Sequence, residues 1–155
     1  MNHAVNFFWT IVCFGPVVTY WVKTGPVAAW WYFIGVSFLG LVLPASWLRL
    51  SRDPKFYERL GVRFIRKFVQ DGDYAKRGRR IISNKTNARQ YTNTILMYEK
   101  YHFLCLLFFL LTSIHAIIFK QYFLTALIII ANSIYNVCPL LLQQYNKARL
   151  VKMLG

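Results

Sequence analysis

Four apolar runs, at about residues 4–22, 27–48, 101–119 and 122–143, carry no Lys, Arg, Asp or Glu. Each is about twenty residues long, enough at 1.5 Å per residue to cross a hydrocarbon core of about 30 Å. Backbone in lipid must satisfy its own hydrogen bonds, and the runs are continuous rather than alternating, so they read as helices and not as barrel strands. The expected fold is all-α: a four-span transmembrane helical bundle, one membrane domain over residues 1–155, with a cytoplasmic basic amphipathic helix between spans two and three.

The charge pattern supports that reading. Apolar residues make up 57% and aromatics 18% of a chain whose net charge is +14, so the cations must be segregated from the apolar runs. Residues 49–100 hold fourteen of the nineteen Lys and Arg and all five acids, and Lys147, Arg149 and Lys152 lie in the last ten residues. Four spans put both termini and the 49–100 segment on one side, leaving only Lys23 and Lys120 on the other. Positive-inside bias makes the rich side cytoplasmic. So lipophilic a chain is a poor binder of nucleic acid. The opening MNHAVNFFWT lacks the basic region and cleavage site of a secretory signal, so the first run is expected to be retained. Cys13, Cys105 and Cys138 lie inside the runs, too far apart for a CxxC pair, and read as buried small hydrophobes.

Within the basic segment, Asp53 followed by Pro54 marks a helix start. Phe56, Leu60, Phe64 and Phe68 then recur every four residues, with Arg59, Arg63, Arg66 and Lys67 on other faces. This is the pattern of a helix lying among anionic lipid headgroups. DGD at 71–73 ends it, and residues 74–94 read as a loop or short helices. Asp71 and Asp73 suit a solvated turn better than a cation site. Lys76, Arg77, Arg79 and Arg80 suit lipid phosphates or, more sharply, the phosphates of a soluble donor, since arginine forks match phosphate oxygens.

Polar groups reach into the last two runs. Glu99 and His102 are three apart, on one side of a helix at the cytoplasmic rim, where a carboxylate can orient an imidazole acting as general base. His115 is rotated away and lies about 20 Å deeper. Equally, Glu99 suits pairing with a headgroup-level cation, and His102 an interfacial anchor. Asn132, Asn136 and Gln143 form one stripe down the fourth run, with Pro139 between them. Such amides face protein or a wet cavity, either as interhelical adhesion or as a slot for a sugar-bearing lipid head. His3 and Asn6 start the first run at the same level. An E-x-x-H pair also occurs in di-iron bundles, but no other acid lies in a span to complete a metal site.

FIRKFVQDGD, the Glu99/His102 pair and the closing NVCPLLLQQYNKARL together resemble the glycosyl-4,4'-diaponeurosporenoate acyltransferases, small bacterial membrane proteins of carotenoid biosynthesis. The likeness covers roughly residues 55–152. Gln144 and Lys147 stand where that family is associated with arginines. The resemblance implies transfer of a fatty acyl group to a sugar hydroxyl of a glycosylated carotenoid, in the bacterial cytoplasmic (inner) membrane.

The expected activity is therefore membrane-embedded O-acyl transfer from acyl-CoA or another thioester co-substrate to a glycosylated lipid acceptor, with no metal and no other cofactor. His102 and Glu99 are the catalytic candidates. Asn132, Asn136, Gln143, Tyr145 and Asn146 are the substrate-binding ones, and Arg77, Arg79 and Arg80 would hold the donor's phosphates. None of the three histidines begins an H-x-x-x-x-D acyltransferase signature. The rival readings are a non-catalytic subunit of a larger membrane complex or homo-oligomer, and a lipid-binding or flipping protein.

Overall fold

A computed structural model describes residues 2–24, 27–43, 49–68 and 85–154. Apart from residues 43 and 49–53 and the short links at 60–61 and 119–121, the described residues are helical, with no strand among them. In chain order the helices are α1 (Asn2–Thr24), α2 (Val27–Val42), α3 (Pro54–Arg59), α4 (Val62–Phe68), α5 (Lys85–Ile118), α6 (Tyr122–Asn132) and α7 (Cys138–Leu154). A π-helical turn, Ser133–Val137, joins the last two into one rod.

Among the described residues, two stretches are long and apolar enough to cross a membrane: Tyr91–Ile118, 28 residues, and Tyr122–Lys152, 31 residues. Ala29–Val42 is apolar but shorter. The expected spans 101–119 and 122–143 fall within the two long stretches but for residue 119. Residues 85–94, expected as loop or short helices, instead belong to α5, which runs unbroken for 34 residues.

The π turn has a local cause. Pro139 has no N–H to return to Tyr135, and its ring crowds that carbonyl. Widening the preceding turn relieves the crowding, and the Cys138 N–H bonds back five residues to Ser133 O.

Asp53 caps α3 as expected, its side chain accepting from Lys55 N at 3.0 Å, with Pro54 at the first helical position. The amphipathic helix does not continue as one piece, however. Gly61, at φ +77°, breaks it, a left-handed conformation that costs glycine little. The break turns Tyr57 and Val62 inward against Leu142, Tyr145 and Ala148 of α7. Phe56, Leu60 and Phe64 of the every-four stripe are left exposed; the side chain of Phe68 lies outside the described residues.

The main core lies at the opposite end of the bundle. Cys13, Val17, Tyr20 and Trp21 of α1 pack on Phe108, Phe109 and Ala116 of α5 and on Ile128 and Ala131 of α6. His115 belongs here: its ring sits among Trp21, Phe33 and Phe119, and its Nδ1 is hydrogen-bonded to the Tyr20 hydroxyl. Cys13 and Cys105 are buried and Cys138 half-buried, all three as free thiols. Where α2 crosses α5, Gly40 admits the Phe103 ring. A methyl group at Gly40 would stand 2.9 Å from Phe103 Cδ1 and 3.0 Å from Leu107 Cδ1.

Candidate functional site

α5 and α7 run antiparallel and in contact, so residues one turn apart on one helix meet a corresponding ladder on the other. α5 brings Glu99, 1% exposed, and His102, 8% exposed, to this seam. The π turn and α7 bring Asn136, Gln143, Gln144 and Lys147.

Glu99 takes its charge partner from across the seam: Lys147 Nζ donates to Oε2 at 3.1 Å, with the lysine side chain 13% exposed. The other oxygen, Oε1, is buried and receives no hydrogen bond from the described residues. A buried carboxylate oxygen without a donor is costly, and its natural occupant is a ligand hydroxyl or a water. One turn along α5, the His102 ring meets Tyr101 and Tyr135 edge-on, at centroid distances of 5.3 and 5.8 Å. The Tyr135 hydroxyl lies 3.0 Å from Thr10 Oγ1 and 3.5 Å from the Tyr101 hydroxyl.

Beside Tyr135, the amides of the rod form a directed chain. Asn136 Nδ2 donates to Asn132 Oδ1 at 2.8 Å, and Asn132 Nδ2 donates to Leu106 O at 3.3 Å. The chain engages donors of both residues and leaves Asn136 Oδ1 buried with no donor of its own among the described residues. The seam therefore presents two bare acceptors, one charged and one neutral, with a buried imidazole on the same helices.

A second polar layer ties the segment before α3 to α7. Gln144 Oε1 accepts from Leu50 N at 3.3 Å. The Tyr57 hydroxyl accepts from Ser51 N at 2.9 Å and shares its proton between Ser51 O, at 2.8 Å, and Gln144 Oε1, at 3.2 Å. Burial pushes the Tyr57 phenol up. Below it the Tyr145 hydroxyl donates to Glu58 Oε1 at 3.0 Å, and Arg63 reaches Glu58 Oε2 at 2.9 Å. The Tyr145 hydrogen bond first, and then Arg63, hold the Glu58 carboxyl below the usual carboxylate range.

Of the residues singled out from sequence, Glu99, His102, Asn132, Asn136 and Gln143 are all buried. Tyr145 is buried on another side, in the cluster with α3 and α4, its hydroxyl committed to Glu58. Asn146 is half-buried. Arg77, Arg79 and Arg80 lie outside the described residues, as do Lys76, Asp71 and Asp73 and the side chains of His3 and Asn6. Among the described residues no group of three His, Cys, Asp or Glu side chains is placed to hold a metal.

Lys147 reads in the sequence as a tail cation at a position the family associates with arginine, and its pairing has a signal there: Asn132, Asn136, Gln143 and Lys147 are spaced four, seven and four, so the lysine continues the amide stripe. Tyr57, paired with Gln144, has no comparable signal, because the two lie 87 residues apart in the chain.

Fold and seam together define the class: a small helical protein whose two long apolar helices are furnished, on their packed faces, with a carboxylate, an imidazole and amides. The chain belongs to the glycosyl-4,4'-diaponeurosporenoate acyltransferase family, whose model matches residues 44–155. This stretch holds every described residue of the seam except Thr10. The family points to an acyltransferase of carotenoid biosynthesis. No curated protein matches the chain, and no solved structure does.

Proposed function

We propose that the protein is a membrane-embedded O-acyltransferase that moves a fatty acyl group from a thioester to a sugar hydroxyl of a glycosylated carotenoid or related glycolipid. The observation that carries this reading is the pair of bare acceptors, Glu99 Oε1 and Asn136 Oδ1, buried on the helices of the seam that holds His102, within the family-matched segment. A sugar head bristles with hydroxyl donors and meets that demand.

In this mechanism Asn136 Oδ1 and Glu99 Oε1 accept hydrogen bonds from the sugar and hold the reacting hydroxyl toward His102. The imidazole removes its proton as the oxygen attacks the thioester carbonyl carbon. The carbon–sulfur bond then breaks, and the imidazolium returns the proton to the departing thiolate. Glu99, one turn away, supports the imidazolium and is itself held by Lys147. Gln143 is a candidate donor for the developing oxyanion, Asn132 holds Asn136, and Asn146 contacts the outer part of the head. Arg77, Arg79 and Arg80 remain candidates for the donor's phosphates.

The same proposal places α1, α2, α5 and the α6–α7 rod as four spans in the bacterial cytoplasmic membrane, with both termini cytoplasmic. The exposed Phe56, Leu60 and Phe64 beside Arg59 and Arg63 suit an α3–α4 pair resting in the headgroup layer.

Mass spectrometry of lipid extracts from cells with and without the gene tests the reading. A pigment or glycolipid lighter by one acyl chain is expected in the deletion strain. Identical extracts, together with a stoichiometric membrane partner in mild detergent, would favour the non-catalytic subunit.

A further inference from the structure

Arg49 stands apart from the other cations near the seam. Its Nε is buried and has no hydrogen-bond acceptor among the described residues. The three acids described in the structure are already committed: Asp53 caps α3, Glu58 holds Arg63 and Tyr145, and Glu99 holds Lys147. Lys100, for comparison, is engaged by Leu41 O at 3.1 Å. No described carboxylate pairs with Arg49.

The backbone that carries Arg49 is held in place. Leu50 N is bonded to Gln144 and Ser51 N to Tyr57, so the guanidinium hangs from a segment pinned to α7 rather than from a loose loop. Arg49 and Glu99 both lie close enough to the Tyr57 hydroxyl to act on it electrostatically. Lys147, one turn beyond Gln144 on α7, is the partner of that same Glu99.

A guanidinium with an uncommitted N–H and no carboxylate partner is a receptor for a tetrahedral oxyanion, because its forked donors match two phosphate oxygens at once. We propose that Arg49, beside the Glu99–Lys147 pair, is a phosphate-binding subsite at the mouth of the Glu99–His102 seam. This rests on the acyl-transfer reading for the biological ligand, which is a phosphate of the thioester's carrier or the phosphate of a membrane phospholipid. The contact itself stands on the geometry alone.

Binding to the purified full-length chain in dodecyl maltoside tests the subsite without any appeal to turnover. Native mass spectrometry would follow two probes, palmitoyl-CoA and phosphatidylglycerol, on wild type, Arg49→Gln and Arg49→Lys. Arg49→Gln should weaken at least one probe about tenfold or more, as loss of a charge-assisted hydrogen bond does, and Arg49→Lys should recover part of it. Loss confined to palmitoyl-CoA identifies the carrier's phosphate; loss confined to phosphatidylglycerol identifies the headgroup. Equal retention of both overturns the proposal. Should Arg49→Gln fail to fold, protection of wild-type Arg49 from phenylglyoxal by inorganic pyrophosphate, read on its own peptide, decides the matter, and no protection counts against the subsite. If binding is lost as expected but gene deletion changes no lipid, the acyl-transfer reading fails while the subsite stands.

Discussion

The Glu99 carboxylate and the Lys147 ammonium meet at 3.1 Å across the α5–α7 seam, both withdrawn from solvent. The pair couples the two helices that carry the proposed chemistry, and the desolvation of each member is offset only because the other is present.

Removing one partner should therefore cost far more than removing both. Lys147→Met leaves Glu99 buried and uncompensated and is expected to destabilise by about 3–5 kcal/mol. Lys147→Arg should retain most of the stability, and the double variant Glu99→Gln/Lys147→Met should regain much of the loss. Thermal unfolding of the three proteins in one detergent checks the order; equal stability of Lys147→Met and wild type would contradict the pairing.

His102 makes ring contacts with Tyr101 and Tyr135, and neither neighbour depends on it for charge neutralisation. His102→Ala should abolish acyl transfer, with a drop of about a hundredfold or more for a lost general base, while expression and helix content are preserved. Acylated product measured by mass spectrometry at the wild-type level would end its assignment as the base.

At Gly40 the close approach of α2 to Phe103 and Leu107 leaves no room for a branched side chain. Gly40→Leu is expected to lower stability by about 1–3 kcal/mol through overpacking, even though leucine is the better helix former. Adding Phe103→Ala should relieve the clash. The midpoint of thermal unfolding for the single and double variants is the readout.

Glu58 is the pH-sensitive link between α3–α4 and α7. Its carboxyl is held low in the folded protein by Tyr145 and Arg63, so its contribution is present above the unfolded-state carboxylate range and is lost as pH falls through the folded value. Acidification should loosen the α3–α4 pair first. Glu58→Gln should flatten that part of the stability–pH curve, and an unchanged acid limb in the variant would show the link to be idle.

Several of these features are legible in the chain. The Asp53–Pro54 start needs only a side-chain oxygen and a fixed φ, both local properties, and the structure has it. Family membership follows from three short ordered motifs. The break at Gly61 is hidden because the Phe56–Leu60–Phe64 period runs straight through it, and a period says nothing about one residue's φ. The start of α5 at Lys85 is hidden for the opposite reason: its first turns lack an apolar period and continue a helix whose apolar part lies further on.

What the sequence by itself determined is the helical class and the polar equipment of the last two runs, because apolar length, residue spacing and proline position act within a few turns of chain. Only the tertiary structure decided who partners whom. Glu99 meets Lys147 from 48 residues away, Gln144 meets Leu50 from 94, and Asn136 is left with a bare oxygen only after Asn132 has turned to Leu106. Such pairings depend on which faces of two helices are pressed together, a choice made by burial over the whole bundle and written at no single position.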